Sequence, residues 1–244
     1  MNEKLLNKSP FLPAWITLPL LGLAAVSLVG CSATQKVAVK QGDVNCGFLG
    51  AECGKLTPMG KDDDKTAGLR YVNPSAQWTQ YNKLIIDPVT FWGGDSTKVS
   101  ASDQQSLVNY FSQQLNEQLA KKFQIVTQPG PGVLKLSVAL TDADAATPGL
   151  RSVSMIVPQA HMISNLKYLA TGTFPFVGAA QAEAKITDAV SGQVLALVVD
   201  RRIGGGSFAA GFQWQWGDAE NAINKWSEMA AERLSSWTSG QAKP

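Results

Sequence analysis

Gln181-Ala182-Glu183-Ala184-Lys185-Ile186-Thr187-Asp188-Ala189-Val190-Ser191-Gly192-Gln193-Val194-Leu195-Ala196-Leu197-Val198-Val199-Asp200-Arg201 decides the fold. Ala182, Ala184 and Ile186 alternate with Gln181, Glu183, Lys185 and Thr187, a period of two that gives a strand one covered face. Ser191-Gly192 turns the chain within Asp188–Gln193, and Val194–Arg201 returns as a second strand, so the stretch predicts a β-hairpin.

Upstream, Leu134, Leu136, Val138 and Leu140 alternate with Lys135, Ser137 and Thr141, predicting another strand with one covered side. Pro129-Gly130-Pro131-Gly132 separates it from a strand over Phe123–Thr127, because that sequence can continue neither helix nor sheet. Leu107, Phe111, Leu115 and Leu119 form one helical stripe, with Ser102 three residues before Gln105 as its capping box. Leu84, Ile85 and Ile86, halted by Asp87-Pro88, predict the first strand of the domain. Ala219, Ile223, Trp226, Ala230, Leu234 and Trp237 form the stripe of a last helix, with Asp218 as its cap. The order β-α-β-β-(insertion)-β-β-α predicts an α+β fold: a single, mostly antiparallel sheet with two helices on one face. Its first strand–helix–strand unit is the place for a parallel pair.

Residues 1–30 have the layout of a signal peptide: Lys4 and Lys8, an apolar run from Ile16 to Val29, then Gly30 and Cys31. The run falls short of the roughly 20 residues of a membrane span. Leu28-Val29-Gly30-Cys31 resembles the lipobox of bacterial lipoproteins, which implies cleavage between Gly30 and Cys31 and lipidation of Cys31. Acyl chains such as palmitate, at about 0.8 kcal/mol per buried methylene, would hold the protein on a membrane. Ser32 stands where, by resemblance to sorting rules of enteric bacteria, an aspartate would retain the protein in the inner membrane. The expected location is the outer membrane, facing the periplasm.

Residues 31–66 are polar and glycine-punctuated and end in Lys61-Asp62-Asp63-Asp64-Lys65, which reads as a solvated, lipidated tether. The oxidising space implied by export makes a Cys46–Cys53 disulfide the expectation within it. Residues 67–240 are expected to form one domain, within the size range of a single core. The formal net charge of +2 gives no reason to expect nucleic-acid binding.

Four stretches carry a family resemblance: Leu69-Arg70-Tyr71-Val72-Asn73-Pro74 with Tyr81 and Asp87-Pro88-Val89; Val126 to Leu140; Ala182 to Ile186 through Ser191-Gly192 to Asp200-Arg201; and Trp216-Gly217-Asp218 with Trp226 and Leu234. Their order and spacing resemble the bacterial domain-of-unknown-function family 3313. That resemblance implies a lipoprotein habit and carries no catalytic residue with it.

Gly205-Gly206-Ser207-Phe208-Ala209 approaches a nucleophile elbow but lacks the final glycine. The one histidine, His161, lies upstream of the serine, against the chain order of that fold. The spacing of Cys46, Cys53 and His161 does not match a zinc site, and neither metal nor cofactor is expected. Asp142 and Asp144, or Asp188 and Asp200, read as strand-end aspartates rather than an acid–base pair.

Between Ser152 and Gln181 the only charged residue is Lys167, while Met155, Ile156, Phe174 and Phe176 are apolar. Two readings stay open: packing over the open sheet face, which is favoured, or a partner-facing patch. Trp214 and Trp216 share a face if extended, and burial against the last helix competes there with ligand stacking. The expected function is a noncatalytic envelope lipoprotein binding a protein partner or envelope component. The alternative is a hydrolase or transferase acting on envelope material through carboxylates.

Overall fold

The computed structural model describes residues 34–39, 41–60, 65–94, 97–145, 178–204 and 215–243. All belong to one compact unit, Cys31–Pro244. The signal-peptide region, Cys31, His161, the Gly205–Ala209 stretch and, among the candidate interaction residues, Met155, Ile156, Phe174, Phe176 and Trp214 lie outside the described residues.

A nine-stranded sheet organises the unit. Its strands are β1 Thr34–Val37, β2 Thr57–Pro58, β3 Leu69–Val72, β4 Lys83–Ile86, β5 Thr90–Phe91, β6 Gln124–Ile125, β7 Val133–Asp144, β8 Ala179–Asp188 and β9 Val194–Gly204. The order is β2-β3-β9-β8-β7-β4-β6, with β1 beside β9 and β5 beside β7. The alternating runs become the long antiparallel centre β7-β8-β9. The sheet is mixed, because β4 runs parallel to both β6 and β7, and β5 parallel to β7. The strand–helix–strand unit thus supplies a parallel pair, as expected of a crossover connection.

Short helix α1, Cys46–Leu49, belongs to the N-terminal segment, while α2, Ala101–Leu119, and α3, Gly217–Thr238, cover one face of the sheet. Their stripes Leu107, Phe111, Leu115 and Ile223, Trp226, Leu234 join Leu134, Leu136, Val138 and Leu140 in the main core. The cap of α2 is Ser100 rather than Ser102: Ser100 Oγ accepts from Asp103 N at 3.2 Å and donates to the Asp103 carboxylate at 2.8 Å. Asp218 is likewise not a cap. It lies inside the first turn of α3, and its Oδ2 accepts from Gly178 N at 2.8 Å. A side chain at Gly204 would run into the Asp218 carboxylate and have to displace it.

The larger correction concerns residues 31–66. From Thr34 to Pro58 the described residues are not a solvated tether: β1 and β2 join the sheet at either end, and the segment between them covers one sheet face. β1 pairs with β9 from Thr34↔Gly204 to Val37↔Arg201. Cys46 and Cys53 are disulfide-bonded. Leu49, Cys53 and Leu56 form a second core with Leu69, Leu197 and Val199 on the sheet face away from α2 and α3. The physical reason is polar complementarity to β8. Gln181 Nε2 donates to Asp43 O at 2.7 Å, Asn45 N donates to Glu183 Oε1 at 2.6 Å, and Lys185 Nζ donates to Phe48 O at 3.0 Å. Three alternate side chains of β8, read from sequence as its exposed set, therefore hold the backbone of the stapled segment.

Candidate functional site

Between the helices and the sheet lies a cleft of about 110 Å³. Its floor comes from β7, β8 and β9, with Leu136, Val138, Ala182, Ala184, Ile186 and Val198. Phe111 and Leu115 of α2 and Trp226, Ala230, Leu234 and Trp237 of α3 roof it. Alanine at 182, 184 and 230 leaves the gap: where larger side chains would interdigitate, these positions stop at Cβ. Ala184 and Ala230 stay partly accessible against an otherwise closed core.

One end of the cleft is a buried polar network. Arg202 and Asp200, two apart on β9 and so on one face, form an ion pair with side chains 0% and 3% exposed, Nε to Oδ2 at 2.9 Å. Asp200 Oδ2 also accepts from Trp226 Nε1 at 2.8 Å, and its Oδ1 from Gly68 N at 2.9 Å. Arg202 donates to Thr34 Oγ1 at 3.3 Å and to Met229 Sδ at 3.4 Å. Burial pushes the Asp200 carboxyl up, against the pull of Arg202 and the other donors. These bonds tie β1, the entry to β3, β9 and α3 together.

Lys65, Arg70 and Arg233 also line the cleft, and all three are cationic. Arg233 Nη2 donates to Lys65 O at 3.2 Å. The Arg70 guanidinium lies over the Trp237 ring, 5.9 Å from its centroid. Partial burial pulls Arg70 down from its ordinary value, and the neighbouring positive charge of Arg233 pulls it further. The result is an apolar cleft with a cationic rim.

Several residues named from sequence are placed elsewhere. Trp216 is only 4% exposed and belongs to the main core, so it offers no interaction surface; the competing reading, burial against the last helix, is the one realised. Asp142 and Asp144 are ion-paired with Arg201. Asp188 is a turn residue whose Oδ1 accepts from Val190 N and Ser191 N. Asp200, read as a strand-end aspartate, is instead buried inside β9. Among the described residues no cluster of His, Cys, Asp and Glu is arranged to hold a metal ion, and no helix is long and apolar enough to cross a membrane.

The class defined so far is an α+β domain with a disulfide-stapled layer on one sheet face and an apolar cleft on the other. The chain belongs to the family described as protein of unknown function (DUF3313), whose model matches residues 47–230. That match starts inside the stapled segment, in keeping with its place in the fold. A curated relative is the uncharacterized lipoprotein YdcL of Escherichia coli, 27% identical over 184 residues, 74% of this chain and 78% of that protein. Its name supports a lipoprotein role and a membrane-associated envelope location here. Among solved structures the chain is similar to the PelC dodecamer from Paraburkholderia phytofirmans, at 11% identity and a TM-score of 0.35 over 72% of this chain and 96% of that one. It is also similar to hypothetical protein CT253 from Chlamydia trachomatis, at 10% identity and a TM-score of 0.32 over 66% of this chain and 95% of that one.

Proposed function

We propose that this chain is a noncatalytic lipoprotein, anchored through Cys31 in the outer membrane and facing the periplasm, whose domain binds an envelope component in the cleft beneath α3. The observation that carries the reading is the cleft itself, an apolar cavity kept open by alanines and rimmed by cations. Its chemistry favours holding a ligand over transforming one. Asp200, the carboxyl at the end of the cleft, is engaged by three donors. A general acid or base needs a group free to exchange a proton with the substrate.

The anchor would leave little slack. Three chain steps separate Cys31 from Thr34, about 11 Å at full extension, and Thr34 is already paired with Gly204. The domain would therefore lie against the bilayer, with the cleft within reach of its surface.

Two measurements on the full-length protein test the proposal. Membrane fractionation should find the wild type in the outer membrane and the Cys31→Ala variant released. Native mass spectrometry of the wild-type protein should find an envelope molecule retained, which Ala230→Phe loses while still folded. A Cys31→Ala protein that stays membrane-bound would overturn the anchor, and an empty wild-type protein would overturn the binding role.

A further inference from the structure

Arg70 and Arg233 line the same cleft, where burial and then the positive charge of Arg233 disfavour the charge of Arg70. Among the described residues, the ion pairs formed by carboxylates go elsewhere: Glu52 to Lys55, Asp87 to Lys135, Glu117 to Lys121, Asp142 and Asp144 to Arg201, Asp200 to Arg202. Among the described residues, neither Arg70 nor Arg233 has a carboxylate partner. Both are half-buried, so water only partly screens them. A pair of guanidiniums is a receptor for an oxyanion, because their planar N–H forks match carboxylate and phosphate oxygens. Directly behind the pair the surface turns apolar, through Trp237 and Leu234 to Ala230 and Ala184. Apolar cavities on the order of 150 Å³ stay dry and admit hydrocarbon, and this one, at about 110 Å³, has an open mouth through which a longer chain can trail.

We propose that the cleft binds a single-chain acyl amphiphile with an oxyanion head. The head is received by Arg70 and Arg233, and the leading part of the chain lies between β8 and α3. This rests on the reading of the cleft as the binding site and names the class of molecule it takes. The charge pair selects the head, and the alanines at 184 and 230 set the depth to which the chain enters.

The test is a fluorescence titration of the full-length protein with cis-parinaric acid, a naturally fluorescent fatty acid, and with its methyl ester. The acid should bind saturably, and the ester about tenfold or more weaker, the loss expected when charge-assisted hydrogen bonds are removed. Arg70→Gln and Arg233→Gln should each weaken the acid to a similar degree and leave the ester unchanged. Ala230→Phe, with Ala184→Leu as a second filling variant, should weaken both probes while melting curves show the domain folded. Sodium phosphate, a charge without a chain, should not displace the acid at equal concentration.

Equal binding of acid and ester, untouched by the arginine substitutions, would leave an apolar binding cleft but overturn the anionic amphiphile. Uptake of neither probe would overturn the amphiphile; the binding role itself would fall only if the wild-type protein also proves empty by native mass spectrometry. Uptake of the acid only after Asp62, Asp63 and Asp64 are replaced by Asn would identify that acidic run as the resident partner of the arginines and also overturn the proposal.

Discussion

At the scale of single residues, two buried carboxyls do different work. Asp200 is ion-paired with the fully buried Arg202, so Asp200→Ala takes a buried acceptor from that guanidinium, from Trp226 Nε1 and from Gly68 N together. Breaking such a pair costs about 3–5 kcal/mol, to be read from the shift of a urea unfolding curve. Replacing both members, Asp200→Leu with Arg202→Met, should cost less than the single change, because no uncompensated charge remains. Glu183 is 0% exposed; one oxygen accepts from Asn45 N and the other has no hydrogen-bond partner among the described residues. Burial pushes its carboxyl up, with the Asn45 bond opposing. The folded state then holds a proton that the unfolded state releases, so stability is greatest below the ordinary carboxyl value and falls as pH rises through the raised one. Glu183→Gln should flatten that fall in thermal melts recorded from acid to neutral pH, and an unchanged pH profile would show that Glu183 is not its source. Neither role was legible from sequence. Asp200 precedes Arg201-Arg202 and looks like the end of a strand, whereas β9 continues to Gly204. The available signal was the i,i+2 pairing of opposite charges on one strand face; the indole lies 26 positions further on, where no local pattern can reveal it.

At the scale of elements, periodicity was a good guide wherever an element buries a single stripe. The β8–β9 hairpin, β7, α2 and α3 all stand where their apolar periods place them. The helix caps were less legible, since Ser100 and Ser102 are both competent and only the trajectory of the preceding chain selects Ser100. The stapled segment escaped because it has no period of its own. Its order comes from a disulfide and from β8 side chains about 140 positions away in sequence, at separations of 137 and 138. Its stability should therefore depend on the staple. Cys46→Ala with Cys53→Ala should destabilise the domain by about 2–3 kcal/mol, the loop-closure value for a short ring, and chemical denaturation of reduced and oxidised protein should show the same gap. A difference near zero would mean that the three β8 contacts and the second core hold the segment unaided.

At the scale of the whole molecule, the sheet has two covered faces with different tasks. The stapled N-terminal layer closes one face with bonds to β8 and a small core. The helix layer closes the other incompletely and leaves the cationic, apolar cleft. The sequence foretold a lipoprotein domain with one covered sheet face, and membership of the family is now established by the match over residues 47–230. The cleft could not be foreseen, because the alanines that open it are ordinary strand and helix residues until sheet and helix meet. The most direct test is hydrogen exchange on the full-length protein with and without cis-parinaric acid. The account predicts that peptides over 41–58 exchange slowly in both states, and that added protection falls on 65–72 and 226–238. Rapid exchange over 41–58, or protection that avoids the cleft, would contradict it.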